Sequence, residues 1–297
     1  MDILKANKIL IPIDFSDISL EAIKHAYLIS KYCSGKIILL HVQKKRELID
    51  FLLPESETNN DSVIMDHLSK KLKNIAEQVK QTYGINVTTV VSIGNITSEI
   101  IHTAEKNNVD IIIMGTRGKD SDSNLFIGSN SYRVLTKSKI PVMTVHSKTS
   151  NTSYERILIP IDTSEHTRQK VDSAIYLAEK LNSELYVIGL IGFGESSYMY
   201  KMEIIMEQIK RIAQKRNVKC ITEIQTSVNR AKATLSHGQK INADLIIIMT
   251  DQYAEFPSII LGSYAHQLIN ESKAPVLCIS PETHPEMLPP DTLGGLW

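Results

Sequence analysis

This sequence of 297 residues contains only three cysteines, and none of its apolar runs approaches the length of a membrane-spanning helix. Cys33, Cys220 and Cys278 are far apart and odd in number, so they predict buried, reduced thiols rather than a disulfide framework or a zinc site. The first residues lack the basic and apolar regions of a secretory signal. We therefore expect a cytoplasmic protein without a membrane partner.

An excess of charge of either sign is also missing. Lys and Arg together number 33, as do Asp and Glu, so the formal net charge is zero. This balance argues against a nucleic-acid partner, which usually requires a basic surface. The nine histidines form no HxxxH or HxH pair, so no metal site is indicated. No GxxxxGK[ST] or GxSxG motif is present, which argues against a P-loop ATPase and a serine hydrolase.

What the sequence does contain is an internal repeat. KILIPIDFS at Lys8–Ser16 recurs as RILIPIDTS at Arg156–Ser164, and Gly128-Ser129 recurs as Gly262-Ser263. Fewer residues separate the PID motif from the glycine-serine motif in the second copy than in the first, so the second copy has lost residues between these two motifs. The missing residues lie after the second apolar run of each copy. There the first copy has a long polar stretch, Gln43–Asp61, which we interpret as a lid.

Each copy alternates short runs rich in Ile and Val with segments of helical spacing, which predicts an α/β fold of two tandem parallel sheets with helices on both faces. We expect domains at residues 1–147 and 156–280, a polar linker at 148–155 and an extended tail at 281–297. In the first copy the predicted strands are 9–13, 37–42, 87–92, 111–114 and 142–145. The predicted helices are 20–32, 62–83, 97–107 and 129–137.

The candidate site lies where the strands of the first copy end, because ligands of open parallel sheets bind outside the carboxyl ends of the strands. Asp14 follows the first strand, and His41-Val42 closes the second. Gly115–Gly118, after the fourth strand, permits close backbone approach to a ligand. Gly128–Ser131 opens a helix whose first amides attract an anion, with the hydroxyls of Ser129 and Ser131 as further donors. Alternatively, Ser129 is only an N-cap and the glycines only terminate loops.

Gly115-x2-Gly118-x9-Gly128-Ser129 resembles the G-2x-G-9x-G-(S/T) signature of ATP-binding universal stress proteins. The similarity extends over nearly the whole chain, through PIDFS, LLHV, GNITSEII and GSNSYRVLTKSKIPVMTV. It implies adenine nucleotide alpha hydrolase-like sheets of five strands in the order 3-2-1-4-5, and domains that pair through their last strands. It also implies ATP as the cofactor, with or without Mg²⁺, for which no protein ligands can be named.

By this resemblance, Asp14 and Val42 lie near the adenosine, and the glycines and Ser129 lie along the ribose and phosphates. Asp14 also has an interpretation as part of a helix cap with Ser16. Arg117 either balances phosphate charge or is a solvated loop residue. The residues expected to contact the nucleotide are Pro12, Asp14, Val42, Met114, Gly115, Arg117, Gly118, Gly128, Ser129, Asn130 and Ser131.

The second copy departs from the signature, since Met249, Gln252 and Ala265 stand where the first copy has Gly115, Gly118 and Ser131. We therefore expect a structural or regulatory second domain. Three functions stay open: an ATP-binding stress-response switch, a scaffold without nucleotide, and an enzyme of adenylate chemistry. For the last, the sequence offers no general base, and His41 is predicted to be a packed histidine. The domains pair either within one chain or through a homodimer.

Overall fold

The computed structural model describes residues 4, 6–44, 60–116, 127–146, 153–164, 166–194, 196–250 and 261–281. In the first half, strands and helices alternate. The elements are β1 (Lys8–Pro12), α1 (Asp17–Cys33), β2 (Lys36–Lys44), α2 (Asn60–Tyr83), β3 (Val87–Gly94), α3 (Ile96–Lys106), β4 (Ile111–Gly115), α4 (Ser129–Lys137) and β5 (Val142–Val145). Every strand and helix predicted for the first copy is present, with ends that shift by a few residues.

The second half repeats this order. Its elements are β6 (Arg156–Ile161), α5 (Gln169–Leu181), β7 (Glu184–Ile191), α6 (Met199–Lys215), β8 (Cys220–Thr226), α7 (Arg230–Lys240), β9 (Leu245–Met249), α8 (Ser263–Glu271) and β10 (Val276–Ile279). Short 3₁₀ turns, His166–Arg168 and Ser196–Tyr198, precede α5 and α6. The first residues of β1 and β6 are equivalent in the repeat, as are those of α4 and α8, so the elements correspond as the repeat predicts.

The ten strands form one continuous sheet in the order β3-β2-β1-β4-β5-β10-β9-β6-β7-β8. Each half therefore has the predicted order 3-2-1-4-5, but the two predicted sheets are merged into one. They join where β5 and β10 pair antiparallel, with Met143 opposite Leu277. These two residues are equivalent in the repeat, so an approximate twofold axis passes between them. All other pairs in the described sheet are parallel.

Helices cover both faces of the sheet because the buried strands are apolar on both sides. All five residues of β4 and all five of β9 are buried. Odd-numbered residues of β1, such as Ile9 and Ile11, pack in one core with α1, while Leu10 packs in a second core on the opposite face. Complete burial of Leu- or Ile-sized side chains contributes roughly 1.5–3 kcal/mol each, so these two cores provide most of the favourable free energy of folding.

Helix α1 also contacts the second domain, next to the segment that enters β6. His25 of α1 and Tyr154 are both buried, and the Nδ1 atom of His25 lies 2.6 Å from the Tyr154 hydroxyl. The hydroxyl of Ser183, at the start of β7, donates to the carbonyl of Tyr154. Tyr154 therefore connects the two domains on the face of the sheet formed by α1 and α5.

Both ends of the stretch that was predicted to be a lid, Gln43–Asp61, belong to regular elements in the structure. Gln43 and Lys44 belong to β2 because they continue the pairing with β3, in which Lys44 is opposite Gly94. The prediction that His41-Val42 ends the second strand is therefore wrong. Asn60 and Asp61 already belong to α2, and residues 45–59 lie outside the described part of the chain. In the described residues, no helix is both long and apolar enough to cross a membrane.

Candidate functional site

The connection from β4 to α4 is closed by hydrogen bonds at its two ends. The amide of Gly128 donates to the carbonyl of Thr116 over 2.6 Å, and the hydroxyl of Ser131 donates to the carbonyl of Gly115 over 2.7 Å. Ser131 is buried, with 4% of its surface exposed. These bonds hold the first turn of α4 against the carboxyl end of β4. The proton of Ser131 thus serves this closure rather than a ligand.

Helix α4 begins at a residue that has no side chain to cap it. Gly128 is the N-cap, with φ −64° and ψ 149°, and the first amide bonded within the helix is that of Tyr132. By contrast, Ser16 caps α1 and Asn95 caps α3 through their side chains. Within the described residues, no side chain caps α4. Its first amides and the positive end of its dipole are therefore available to an anion.

Ser129 is exposed and is the first residue of the helix, so the alternative interpretation of Ser129 as the N-cap is wrong. A serine hydroxyl at the first position of a helix is a potential further donor to an anion at that helix terminus. Asn130, which follows it, is half-buried. Arg117 and Gly118, which complete the predicted signature, lie outside the described residues.

The carboxylate of Asp14 supports the start of α1. Its Oδ1 atom accepts hydrogen bonds from the amide of Ser16 at 3.0 Å and from the hydroxyl of Ser16 at 2.5 Å. The Ser16 hydroxyl in turn accepts from the amide of Ser19 at 3.2 Å. The interpretation of Asp14 as part of a helix cap is therefore confirmed. Asp14 is only half-buried, so the cap leaves part of its side chain on the surface at the end of β1.

Several predicted residues meet at one edge of the sheet, because β1 lies between β2 and β4. Pro12 ends β1, and Gly115 ends β4. Val42 lies in β2 just beyond Leu40, which is opposite Pro12. Met114 is buried within β4 and packs in the core. Apart from Met114, the described candidates therefore lie at the carboxyl edge of three neighbouring strands and in the first turn of α4.

A further group at this edge was missed by the sequence reasoning. Phe15 has a φ of 64°, a left-handed conformation that costs a non-glycine residue roughly 1–2 kcal/mol. Its ring lies 4.5 Å from the ring of His41, and the Nζ atom of Lys71 lies 4.0 Å from its centroid. No pattern in the sequence indicates a strained phenylalanine. The second domain has Thr163 at this position, which is not among the residues with positive φ.

His41 is a packed histidine, as predicted. Its Nδ1 atom lies 2.6 Å from the carbonyl oxygen of Ile13, so the Nδ1–H tautomer donates this bond. Burial lowers the pKa of His41, and the hydrogen bond to Ile13 and the charge of Asp14 oppose the shift in part. At neutral pH the imidazole is therefore uncharged. Its contacts with Phe15 and Ile13 fix the end of β1 against β2.

The equivalent site in the second domain keeps the glycine-capped helix but differs elsewhere. Gly262 is the N-cap of α8, which also lacks a side-chain cap among the described residues. Asp162 accepts from the amide and hydroxyl of Ser164, as Asp14 does from Ser16. However, the guanidinium of Arg230 lies 3.7 Å from the Asp162 carboxylate. In the first domain, the residue equivalent to Arg230 is Ile96.

The methionines of α6 cover a strand position that carries His41 in the first domain. Gly189 occupies the position of His41, and a Cβ atom at Gly189 would clash with Met206 and lie 2.8 Å from Met202. Both methionines are buried. They pack in the core beneath α5 and α6, so the side of β7 that is equivalent to the His41 side of β2 is covered by flexible apolar side chains. A side chain at position 189 would fit only if both methionines shifted.

Neither a reactive cysteine nor a group of metal ligands is found among the described residues. All three cysteines are buried and free, as predicted, and burial raises the pKa of each thiol, to about 11 for Cys220. Among the residues described, no three His, Cys, Asp or Glu side chains are grouped so that they could hold a metal ion.

Comparison with known proteins shows that both halves of the chain match the same protein family. The model of the universal stress protein family matches residues 5–146 and again residues 153–280. Universal stress protein MJ0577 of Methanocaldococcus jannaschii is 33% identical over 156 residues, which cover 48% of this chain and 96% of that protein. Universal stress protein MJ0531 of the same organism is 34% identical over 149 residues, covering 46% and 81%.

A solved structure resembles the whole chain. The crystal structure of a universal stress protein from Archaeoglobus fulgidus has a TM-score of 0.73 and 25% sequence identity. The similarity covers 93% of this chain and 98% of that one, so the tandem arrangement as a whole is shared.

Proposed function

Because the chain belongs to the universal stress protein family, we propose that its N-terminal domain binds ATP, or another adenine nucleotide, as a regulatory switch in a stress response. The observation that carries this proposal is the start of α4. A glycine N-cap leaves the first amides of that helix without a side-chain cap, and two hydrogen bonds hold them beside the end of β4. This arrangement suits a phosphate group.

The remaining candidates extend from this helix along the sheet edge. In our proposal the phosphates lie at Gly128, Ser129 and Asn130, and the adenosine lies across the ends of β1 and β2, near Pro12, Asp14 and Val42. Asp14 retains a half-exposed carboxylate there, which suits hydrogen bonds from ribose hydroxyls. Gly115 and Gly118 of the signature allow the backbone to approach the ligand closely. We assign no catalytic step and name no protein ligand for Mg²⁺.

The second domain, in this proposal, acts as the partner of the first and does not bind ATP in the same manner. Three differences support the assignment. Arg230 lies beside Asp162, Met249 replaces the first glycine of the signature, and Gln252 replaces the second. We place the domain boundaries at residues 1–147 and 156–280. We also place the protein in the cytoplasm, where three separate thiols remain reduced.

The test is a calorimetric titration of ATP into the wild type, Gly128→Asp and Gly262→Asp. Gly128 has φ −64° and ψ 149°, and Gly262 has φ −55° and ψ 150°. Both conformations are accessible to any residue, and aspartate is a good N-cap, so both helices are expected to form.

In Gly128→Asp the new carboxylate repels the phosphates, and we expect affinity to fall at least about tenfold. Gly262→Asp is the matched control and should bind as the wild type does. Equal affinity in all three proteins would contradict the assignment.

A second candidate function is a scaffold that does not use nucleotide. The continuous sheet favours it, since pairing of β5 with β10 makes one rigid surface from two domains. Mass spectrometry of freshly purified, denatured protein separates the two. Co-purified ATP, ADP or AMP favours the switch, and a reproducibly empty protein that also fails to bind added ATP favours the scaffold.

A further inference from the structure

The two glycine-serine turns are each contacted by the opposite domain. Ile127 is the residue before Gly128, and its amide donates to the Oδ1 atom of Asn270 in α8, over 2.7 Å. Leu261 is the residue before Gly262, and its amide donates to the hydroxyl of Tyr132 in α4, over 3.4 Å. The amide that precedes each glycine-serine turn is therefore bonded across the domain interface.

The bond to Asn270 is shorter than the bond to Tyr132, and the side chain of Asn270 is itself held by a neighbouring residue. The imidazole of His266 orients the side-chain amide of Asn270. The Nδ2 atom of Asn270 lies 3.2 Å from Nδ1 and 3.3 Å from Nε2 of His266. His266 in turn contacts the ring of Tyr132 edge-on, at 6.5 Å. Thr136 is the residue equivalent to Asn270 in the first domain, and its hydroxyl bonds instead to carbonyls of its own helix. The turn of the first domain is therefore held by the shorter and better supported of the two bonds.

We infer that Asn270 is a positioning residue for the nucleotide site of the first domain, so that the second domain controls the affinity of the first for its ligand. The inference rests on the proposed function. Asn270 fixes the amide of Ile127, and the carbonyl of Thr116 fixes the next amide, that of Gly128. Two consecutive amides are thereby held from two sides, one within the domain and one across the interface.

The consequence is a coupling between ligand and interface. The uncapped amides of Ser129 and Asn130 follow directly after this fixed pair, so their direction depends on it. Without Asn270 the turn samples more conformations, and a ligand must order it at a cost in affinity. By linkage, a ligand that orders the turn also strengthens the contact between Ile127 and Asn270. The second domain then has a function although it has lost both loop glycines of the signature.

The test compares Asn270→Ala, Asn270→Asp and Tyr132→Phe with the wild type. Alanine removes the acceptor, aspartate keeps an oxygen acceptor for Ile127, and Tyr132→Phe removes the reciprocal bond at the other turn. The first measurement is amide hydrogen exchange of Ile127 and Gly128 without nucleotide. The second is ATP affinity by calorimetry, with thermal unfolding recorded for each protein.

In Asn270→Ala we expect faster exchange at Ile127 and an ATP affinity about 3- to 10-fold weaker, which corresponds to the loss of one hydrogen bond. Asn270→Asp should restore slow exchange at Ile127 but not ATP affinity, because its added negative charge lies near the proposed phosphate site. Tyr132→Phe should leave both exchange and affinity at wild-type values. Unchanged exchange at Ile127 in Asn270→Ala would overturn the positioning role, whether or not the wild type binds ATP. Faster exchange with unchanged affinity would overturn the coupling. A wild type that binds no nucleotide would overturn the proposed function and with it the coupling, while the exchange data still decide the positioning role.

Discussion

The guanidinium of Arg230 lies 3.7 Å from the carboxylate of Asp162, whereas the equivalent residues of the first domain are Ile96 and Asp14. Asp14 and Asp162 make the same hydrogen bonds to the serine two residues later. Helix α7 thus begins with a cation beside this carboxylate, and α3 begins with an apolar residue. Around this carboxylate, the two domains therefore differ in the helix that begins beside it rather than in the carboxylate itself.

The first prediction concerns Arg230→Ile, which gives the second domain the residue of the first. Both partners of the ion pair are partly exposed, at 41% and 32%, so we expect the free energy of unfolding to change by less than about 1 kcal/mol. Because Met249 and Gln252 still stand where the signature has glycines, the stoichiometry of ATP should stay at one per chain. Calorimetric titration measures it. A second equivalent of bound ATP would mean that the ion pair alone closes the second site.

The second prediction separates two serines of the same turn. Ser131→Ala removes the buried bond to the carbonyl of Gly115 and should lower the free energy of unfolding by about 1 kcal/mol. Ser129 is exposed, so Ser129→Ala should leave stability within about 0.5 kcal/mol while it weakens ATP binding. Urea unfolding and calorimetry give the two quantities. Loss of stability in Ser129→Ala, without loss of affinity, would show that its role is structural.

The third prediction concerns pH. Burial lowers the pKa of His25 to about 4, and the charge of Lys24 adds to the shift. A histidine with a normal pKa near 6.5 in the unfolded chain binds a proton before the folded protein does. The contribution of His25 to stability is therefore fully present above about pH 6.5, and about 3 kcal/mol is lost progressively as the pH falls toward 4.

Urea unfolding between pH 4 and pH 7 tests this prediction on the wild type and on His25→Gln. We expect the variant to be less stable at pH 7 and to lose less stability as the pH falls. The control is His102→Gln, because His102 is exposed on α3. If His25→Gln keeps the pH dependence of the wild type, other groups are responsible for it.

Much of the fold could be predicted from local pattern. Every element predicted for the first copy exists, because buried parallel strands require apolar runs such as those of β1 and β4. The repeat spacings predicted which elements of the second half correspond to those of the first. The predicted end of β2 was wrong because pairing with β3 continues through Gln43 and Lys44. These polar residues carry no strand signal of their own.

The candidate site was predictable only in part. Gly128 and Asp14 carry recognisable signals, since glycine and a following polar run mark the start of a helix and aspartate often supports a cap. The left-handed Phe15 and its contacts with His41 and Lys71 were not predictable, because they depend on where α2 crosses the sheet. Neither was the burial of the Ser131 hydroxyl, which depends on the return of α4 to the end of β4.

The sequence by itself determined that the chain is a tandem α/β protein of two unequal copies, because periodicity, repeat spacing and the loss of glycines are local properties. Only the tertiary structure decided how the copies act on each other. The pairing of Met143 opposite Leu277 joins the last strands of the two domains, and the bond from Ile127 to Asn270 joins the turn of one domain to a helix of the other. Contacts between residues so far apart in the chain follow from the packing of complete domains, and no local pattern of residues encodes them.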